Sequence, residues 1–142
     1  AKQPRNPDEL GVSPQDLDFF EDMLNRVQTA YGREDYGALR ELSTPEMVSY
    51  LAEQLGETAS RGHRNHLADV KLLQGDISES WREGTTDYAT VAMRYQLRDW
   101  TVERSSERLV EGTPDQLEEV TELWTFVRPR GQQWKLSAIQ EA

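Results

Sequence analysis

The stretch TDYATVAMRYQLRDWTVE, residues 86–103, decides the fold. Ala89, Val91, Met93, Tyr95 and Leu97 alternate with Thr90, Ala92, Arg94, Gln96 and Arg98. A period of two places successive side chains on opposite faces, so this segment is a strand with one covered face. The covered face has to meet other apolar surface, and the flanking sequence supplies it. Upstream, LADVKLLQGDISESW (residues 67–81) is rich in strand formers, but its alternation slips at Leu72–Leu73, which predicts a bulge or sharp bend. Downstream, EEVTELWTFVR (118–128) and QQWKLSAIQ (132–140) are two further strands joined through Pro129 and Gly131, a good turn signal. RSSERLVEGTPDQ, between the second and third strands, reads as a hairpin tip and an irregular crossing. The two terminal strands are expected at the centre of the sheet.

The first half of the chain has a different period. In SPQDLDFFEDMLNRVQTAYGRED (13–35), Leu17, Phe20, Leu24, Val27 and Tyr31 fall at helical spacing, and Phe19, Met23 and Ala30 widen the stripe. Ser13 is a good N-cap, Pro14 suits the first helical position, and Asp16 sits where a capping-box acid belongs. Gly32 is a C-terminal stop. DYGALREL reads as a short helix or turn. STPEMVSYLAEQLGETASRG (43–62) repeats the start signal with Thr44, Pro45 and Glu46, presents Met47, Val48, Leu51, Leu55 and Ala59, and ends at Gly62. Helices first and four antiparallel strands after them define an α+β domain, with the helices on one face of a bent sheet. Residues 1–12 are polar, hold two prolines and lack a period, so they read as a linker or flexible arm before a domain at 13–142.

A chain of 142 residues suits one domain with a useful core. With 16 Lys and Arg against 26 Asp and Glu, the net charge is −10. Such a surface repels phosphate backbones, which argues against nucleic acid as a partner and disfavours direct docking on anionic lipid unless the basic residues cluster. There is no cysteine, hence no disulfide and no thiol chemistry; cytoplasm and periplasm both fit. No apolar run approaches the roughly 18 residues of a membrane span, and no signal peptide is visible. Because the chain starts at Ala1 without an initiator Met, we read it as part of a longer or processed protein in which an upstream anchor has a place.

Three helical segments before a strongly bent four-stranded sheet resemble the nuclear-transport-factor-two-like cone. YATVAMRYQLRD, ELWTFVR and the C-terminal W-x-L-S-A-I-Q, with the amphipathic opening helix and L-S-T-P-E-M, resemble the Tim44-like domain family over about residues 15–140. That resemblance implies a cone with a large apolar pocket and a peripheral role at a membrane. Members include the C-terminal domain of the mitochondrial import-motor scaffold, a mitochondrial ribosomal protein and bacterial proteins, which often carry an N-terminal membrane segment and a flexible linker. The polar arm at 1–12 fits the end of such a linker. The upstream chaperone-binding region of the motor scaffold is absent here, so the motor role does not carry over.

Several side-chain groups are of types that can carry chemistry. His63, His66 and Asp69 would share one face of a helix and could begin a metal site, but Gly62 precedes them and a strand follows, so they read as loop residues. Asp18, Glu21, Asp22, Glu118, Glu119 and Glu122 read as solvated acids. An isomerase, dehydratase or hydrolase on the same cone would need a carboxylate base with a donor partner inside it; Asp87 and Asp99 flank the second strand, with Tyr50, Tyr88 and Tyr95 as donors. Acids at strand ends are commonly exposed, and the inward set of that strand contains none, so no catalytic residue, metal or cofactor is expected. Trp81 and Trp100 stand at strand ends, where they edge a mouth or a partner surface. Arg128, Arg130 and Lys135 form a basic cluster at the last turn, read as ordinary turn charges that could otherwise touch a phosphate or head group.

Met93, Trp134, Leu136 and the aromatics of the last strands are core candidates. Phe20, Tyr95, Trp124 and Phe126 are the expected ligand-contacting residues. The function expected is a non-catalytic binding or scaffold domain of a membrane-associated, bacterial inner-membrane type of protein, with a role in protein translocation or envelope assembly. It would hold a hydrophobic ligand or a protein segment in an apolar pocket. Two alternatives stay open: an enzyme on the same cone, and a structural homodimer paired through outward positions such as Ala92 and Ala138.

Overall fold

The computed structural model describes residues 8–142. Three helices come first: α1 (Pro14–Gly32), α2 (Tyr36–Leu42) and α3 (Pro45–Ser60). Their starts are set by local chemistry. The Asp16 N–H donates to Ser13 Oγ and the Ser13 N–H to the Asp16 carboxylate, both at 3.2 Å, closing the predicted capping box. Asp35 Oδ1 accepts from the Ala38 N–H at 3.1 Å, and Thr44 Oγ1 from the Met47 N–H at 3.3 Å. Gly62 follows α3 at φ +74, a left-handed conformation that only glycine takes without strain, and its N–H reaches the Ala59 carbonyl.

The sheet contains β1 (His63–Glu83), β2 (Thr86–Glu103), β3 (Leu109–Gly112), β4 (Glu118–Pro129) and β5 (Lys135–Glu141), antiparallel throughout. Its order is β1-β2-β4-β5, and β3 pairs with β2 beyond the end of β4. The α+β cone is therefore as expected, with two differences. First, β3 is a fifth strand where the sequence suggests only an irregular crossing. It is four residues long and exposed, so no apolar alternation marks it. Second, β4 is central but β5 is an edge strand. Strand order depends on long-range pairing, which periodicity does not encode.

β1 is 21 residues long. Straight, it would run about 70 Å at roughly 3.3 Å per residue. A compact domain of this size is only about 35–40 Å across, so β1 has to bend. Its register against β2 slips between Ala68 and Lys71, between Leu72 and Gln74, and between Ile77 and Glu79. The middle slip leaves Leu73 as the extra residue, at the doublet where the alternation fails in the sequence. At the first slip Asp69 takes φ 54, a left-handed conformation that aspartate tolerates better than most residues. Each bulge kinks the strand and raises its twist. The result is an arched sheet whose concave face receives the helices.

That face is filled by Phe20, Met23, Leu24, Val27 and Ala30 of α1, Leu39 of α2, and Met47, Leu51 and Leu55 of α3. They meet Ala89, Val91, Met93, Tyr95 and Leu97 of β2, the set inferred from the period of two, and Trp124, Phe126 and Leu136. Burying each large apolar side chain contributes about 2 kcal/mol. The convex face is mixed: Ala92 pairs with Leu123 and Tyr88 with Val127, while the Thr90 and Thr125 hydroxyls are 2.9 Å apart and Arg94 is bonded to Glu119 at 2.8 Å. Among the described residues no helix is long and apolar enough to cross a membrane.

Residues 1–7 of the arm lie outside the described residues. Beyond them, Asp8 bridges to Ser80 of β1, and the Glu9 N–H donates to the Ser80 carbonyl at 3.1 Å. Ser80 Oγ also donates to the Asp8 carboxylate and accepts the Leu10 N–H.

Candidate functional site

Between the C-terminal half of α1, the middle of α3 and the concave sheet lies a cavity of about 340 Å³. Val27, Leu51, Leu67, Leu97, Val120 and Ile139 supply apolar wall. Tyr31, Tyr50, Gln54 and Asn65 add polar groups, and Asp99, Glu122 and Glu141 add three carboxylates. The lining includes no Lys or Arg. The cavity wall thus mixes apolar side chains with tyrosines, amides and carboxylates, and the charged groups on it are all acidic.

Its polar anchor is Glu122. In β4 the residues Val120, Glu122, Trp124 and Phe126 share one face, so this glutamate points inward beside two buried aromatics. Glu122 Oε1 accepts the Tyr95 hydroxyl at 2.6 Å and the Trp124 indole N–H at 3.0 Å. The Gln28 amide donates to the Tyr95 hydroxyl at 3.1 Å. Burial and then the bond to Glu122 push the Tyr95 hydroxyl far above its ordinary range, so it stays protonated and acts only as a donor or neutral acceptor. Tyr31 is also raised, first by burial and then by the charge of Asp99; its hydroxyl faces Gln54 Oε1 at 3.4 Å. Asp99 accepts the Asn65 amide at 2.6 Å. Reading Glu122 with the solvated acids is therefore corrected. The signal was available: glutamate stands in register with Trp124 and Phe126 on an alternating strand.

The four expected contact residues form one connected row. Phe20 stacks on Phe126 with centroids 4.5 Å apart, Phe126 neighbours Trp124 at 6.3 Å, and Trp124 and Tyr95 share Glu122. Tyr95 borders the cavity, whereas Phe20, Trp124 and Phe126 are at most 1% exposed and sit in the core behind it.

The other groups separate. His63 and His66 lie three apart on a strand and so face opposite sides; His66 stacks on Trp100 at 5.3 Å. Among the described residues no three His, Cys, Asp or Glu side chains gather as a metal site. Trp81 stacks on Tyr88 at 5.0 Å. Asp87 is not an exposed strand-end acid. It is 8% exposed and bonded to Arg82 at 2.7 Å and Arg128 at 2.9 Å. The Arg82 bond is the main cause that holds its carboxyl below the usual range, with Arg128 assisting against the cost of burial. Such an acid is a poor base.

Helices lodged on the concave side of an arched antiparallel sheet, around a partly open cavity, define the nuclear-transport-factor-two-like class of cone. The profile of the Tim44-like domain matches residues 9–141, and the chain belongs to that family. The crystal structure of the intermembrane space region of the chloroplast protein ARC6 is similar in fold. Its TM-score is 0.55 at 12% identity, over 88% of this chain and 96% of that one. A stretch of 78 residues is 27% identical to part of a leucine–tRNA ligase of Flavobacterium psychrophilum. It covers 51% of this chain and 8% of the ligase, so the chain spans only a small fraction of that relative.

Proposed function

We propose that this domain is a non-catalytic binding module of a membrane-associated protein, and that its cavity holds an apolar group of a ligand or of a protein segment. The observation that carries this reading is the space of about 340 Å³ between α1, α3 and the sheet, with Val27, Leu51, Leu67, Leu97, Val120 and Ile139 on its wall, which is within the size range of ligand sites. In this reading Tyr95 touches the occupant, and the Trp124–Phe126–Phe20 row backs the wall it rests on. The carboxylates Asp99, Glu122 and Glu141 repel an anionic head group, so a neutral acyl chain or an apolar protein segment fits better than a free fatty acid. Family membership supports a scaffold role at a membrane, in translocation or envelope assembly.

Native mass spectrometry of the purified protein, followed by denaturing lipid extraction, tests this reading. The expected result is an apolar adduct that disappears in Leu67→Trp, a variant that fills the cavity. Finding neither an adduct nor saturable binding of the apolar dye ANS overturns it.

One observation favours a second reading, an isomerase, dehydratase or hydrolase: a carboxylate and a hydroxyl 2.6 Å apart in a cavity. Against it, the same carboxylate oxygen is already shared with an indole N–H. In an enzyme with Glu122 as base, Glu122→Gln abolishes turnover; in a binding module that variant retains the adduct.

A further inference from the structure

We propose that the opposite end of the same concave sheet face is a phosphate-binding site, independent of the cavity described above. Three arginines border it from separate parts of the chain: Arg82 near the end of β1, Arg128 near the end of β4, and Arg130 in the β4–β5 turn. They border a concavity of about 550 Å³ together with Gly84, Thr85 and Gly131.

The pairing register explains the convergence. Asp87 on β2 stands directly opposite Arg82 on one neighbouring strand and Arg128 on the other. Its two carboxylate oxygens are divided between them: Arg82 Nε donates to Oδ1 at 2.7 Å and Arg128 Nη2 to Oδ2 at 2.9 Å. Arg128 is fixed a second time, with its guanidinium 4.3 Å from the centre of the Trp134 ring. The two arginines are thus held in place by one acid while other N–H groups on each remain available. Their side chains are still 61% and 36% exposed.

Charge makes the arrangement informative. Three guanidiniums against one carboxylate leave a local excess of two positive charges on a chain whose net charge is −10. Tying β2 to β1 and to β4 through Asp87 uses Arg82 and Arg128 and leaves Arg130 over. Arg130 makes no ion pair or side-chain hydrogen bond among the described residues, so its charge serves no visible contact within the fold. Glu83, the nearest acid in sequence, accepts the Trp81 indole N–H at 3.2 Å, and alternation along β1 puts it on the face opposite Arg82. Gly84 and Gly131 adopt φ +60 and φ +76, and a Cβ on either would meet nothing within 4 Å, so the backbone at both turns is open to approach. Planar, pre-positioned guanidinium forks around an open concavity are the arrangement that recognises a phosphate monoester or diester. The mixed Arg–Asp–Arg row favours an oxyanion that can bridge two forks over a simple halide.

The phosphate can belong to a soluble ester or to a lipid head group, and the test separates the two. Amide spectra of the ¹⁵N-labelled protein are recorded during titration with inorganic phosphate at ionic strength held constant with chloride. In parallel, the protein is sedimented with vesicles of phosphatidylcholine alone or with about 30% phosphatidylglycerol. The expected result is saturable movement of the Gly84, Thr85 and Gly131 amides, with affinity reduced about tenfold in Arg130→Gln, the loss of one charge-assisted hydrogen bond. Arg130 is exposed, so this variant keeps the fold; Arg82→Gln with Arg130→Gln should remove the effect. Sedimentation with the anionic vesicles that is lost in Arg130→Gln identifies a lipid head group as the source. Phosphate binding without sedimentation identifies a soluble ester. No saturable movement with phosphate, or movement unchanged in both variants, overturns the proposal whatever the vesicles do.

Discussion

Replacing Glu122 by leucine tests whether this side chain is an inward polar anchor or a solvated acid. The structure sets the size of the effect. Trp124 is fully buried, and its indole N–H donates to Glu122 at 3.0 Å; leucine leaves that donor unpaired, at about 1–3 kcal/mol. The Tyr95 hydroxyl loses its 2.6 Å bond to a carboxylate but keeps Gln28, so its loss is nearer 1 kcal/mol. The leucine side chain recovers about 1 kcal/mol by burying apolar surface. The net expectation is a destabilisation of about 2 kcal/mol. With a urea m value near 2 kcal/mol/M, the midpoint of unfolding falls by about 1 M. Glu122→Gln keeps an acceptor for both donors and should cost less than half as much, because only the charge assistance is lost. Equilibrium urea unfolding followed by Trp fluorescence and by far-ultraviolet circular dichroism measures both variants. A Glu122→Leu midpoint within about 0.2 M of the parent would refute the reasoning, as would equal losses for leucine and glutamine.

Three further outcomes follow from the same structure. Phe20→Ala removes a ring that is 1% exposed and stacked at 4.5 Å on Phe126, so it should cost about 3–4 kcal/mol and lower Tm by about 10 °C in a calorimetric scan. Asp87→Asn should cost about 2 kcal/mol at neutral pH, a value discounted from that of a fully buried pair because both arginines reach solvent. Its folded carboxyl titrates below the unfolded value of about 3.9, so its contribution is complete at neutral pH and is lost as pH falls through the folded pKa. The variant should show a shallower loss of stability between about pH 5 and pH 2 in acid titrations. Gly112→Ala places a Cβ 2.5 Å from the Asp99 carbonyl oxygen at a backbone with φ +81, so β3 should separate from β2, read as faster amide hydrogen exchange at Leu109 and Glu111 without loss of the core.

The elements legible in the sequence are those that local chemistry specifies. The capping box at Ser13 and Asp16, the prolines opening α1 and α3 and the period of two in β2 all appear in the structure where residue spacing puts them. So does the bulge at Leu72–Leu73, because an interrupted alternation is itself a geometric signal. What was not legible depends on pairing between distant segments. Asp87 looks like a solvated strand-end acid until the register brings Arg82 and Arg128 to either side of it. β5 carries core aromatic and aliphatic residues beside it, yet lies at the sheet edge, since composition does not report neighbours. The cavity falls between these cases. Val27, Leu51, Tyr95 and Leu97 on its wall are core residues, and only the bend of the sheet decides that they border open space beside tyrosines and carboxylates. Glu122 is the one position where the local pattern held the answer and the overall acidity of the chain obscured it.

The irregular pairing of β1 has a consequence for solubility. This strand forms one border of the sheet, and a long straight border is a template onto which another chain can add its own strand. Here no uninterrupted run of pairing in β1 exceeds the six residues from His63 to Ala68. An incoming strand would lose step within a few residues. Residues 8–9 cover the border at Ser80, and at the far border Ser43 and Thr44 lie against Leu136. The same kinks that hollow out the interior therefore protect the domain from stacking, copy upon copy, into fibrils.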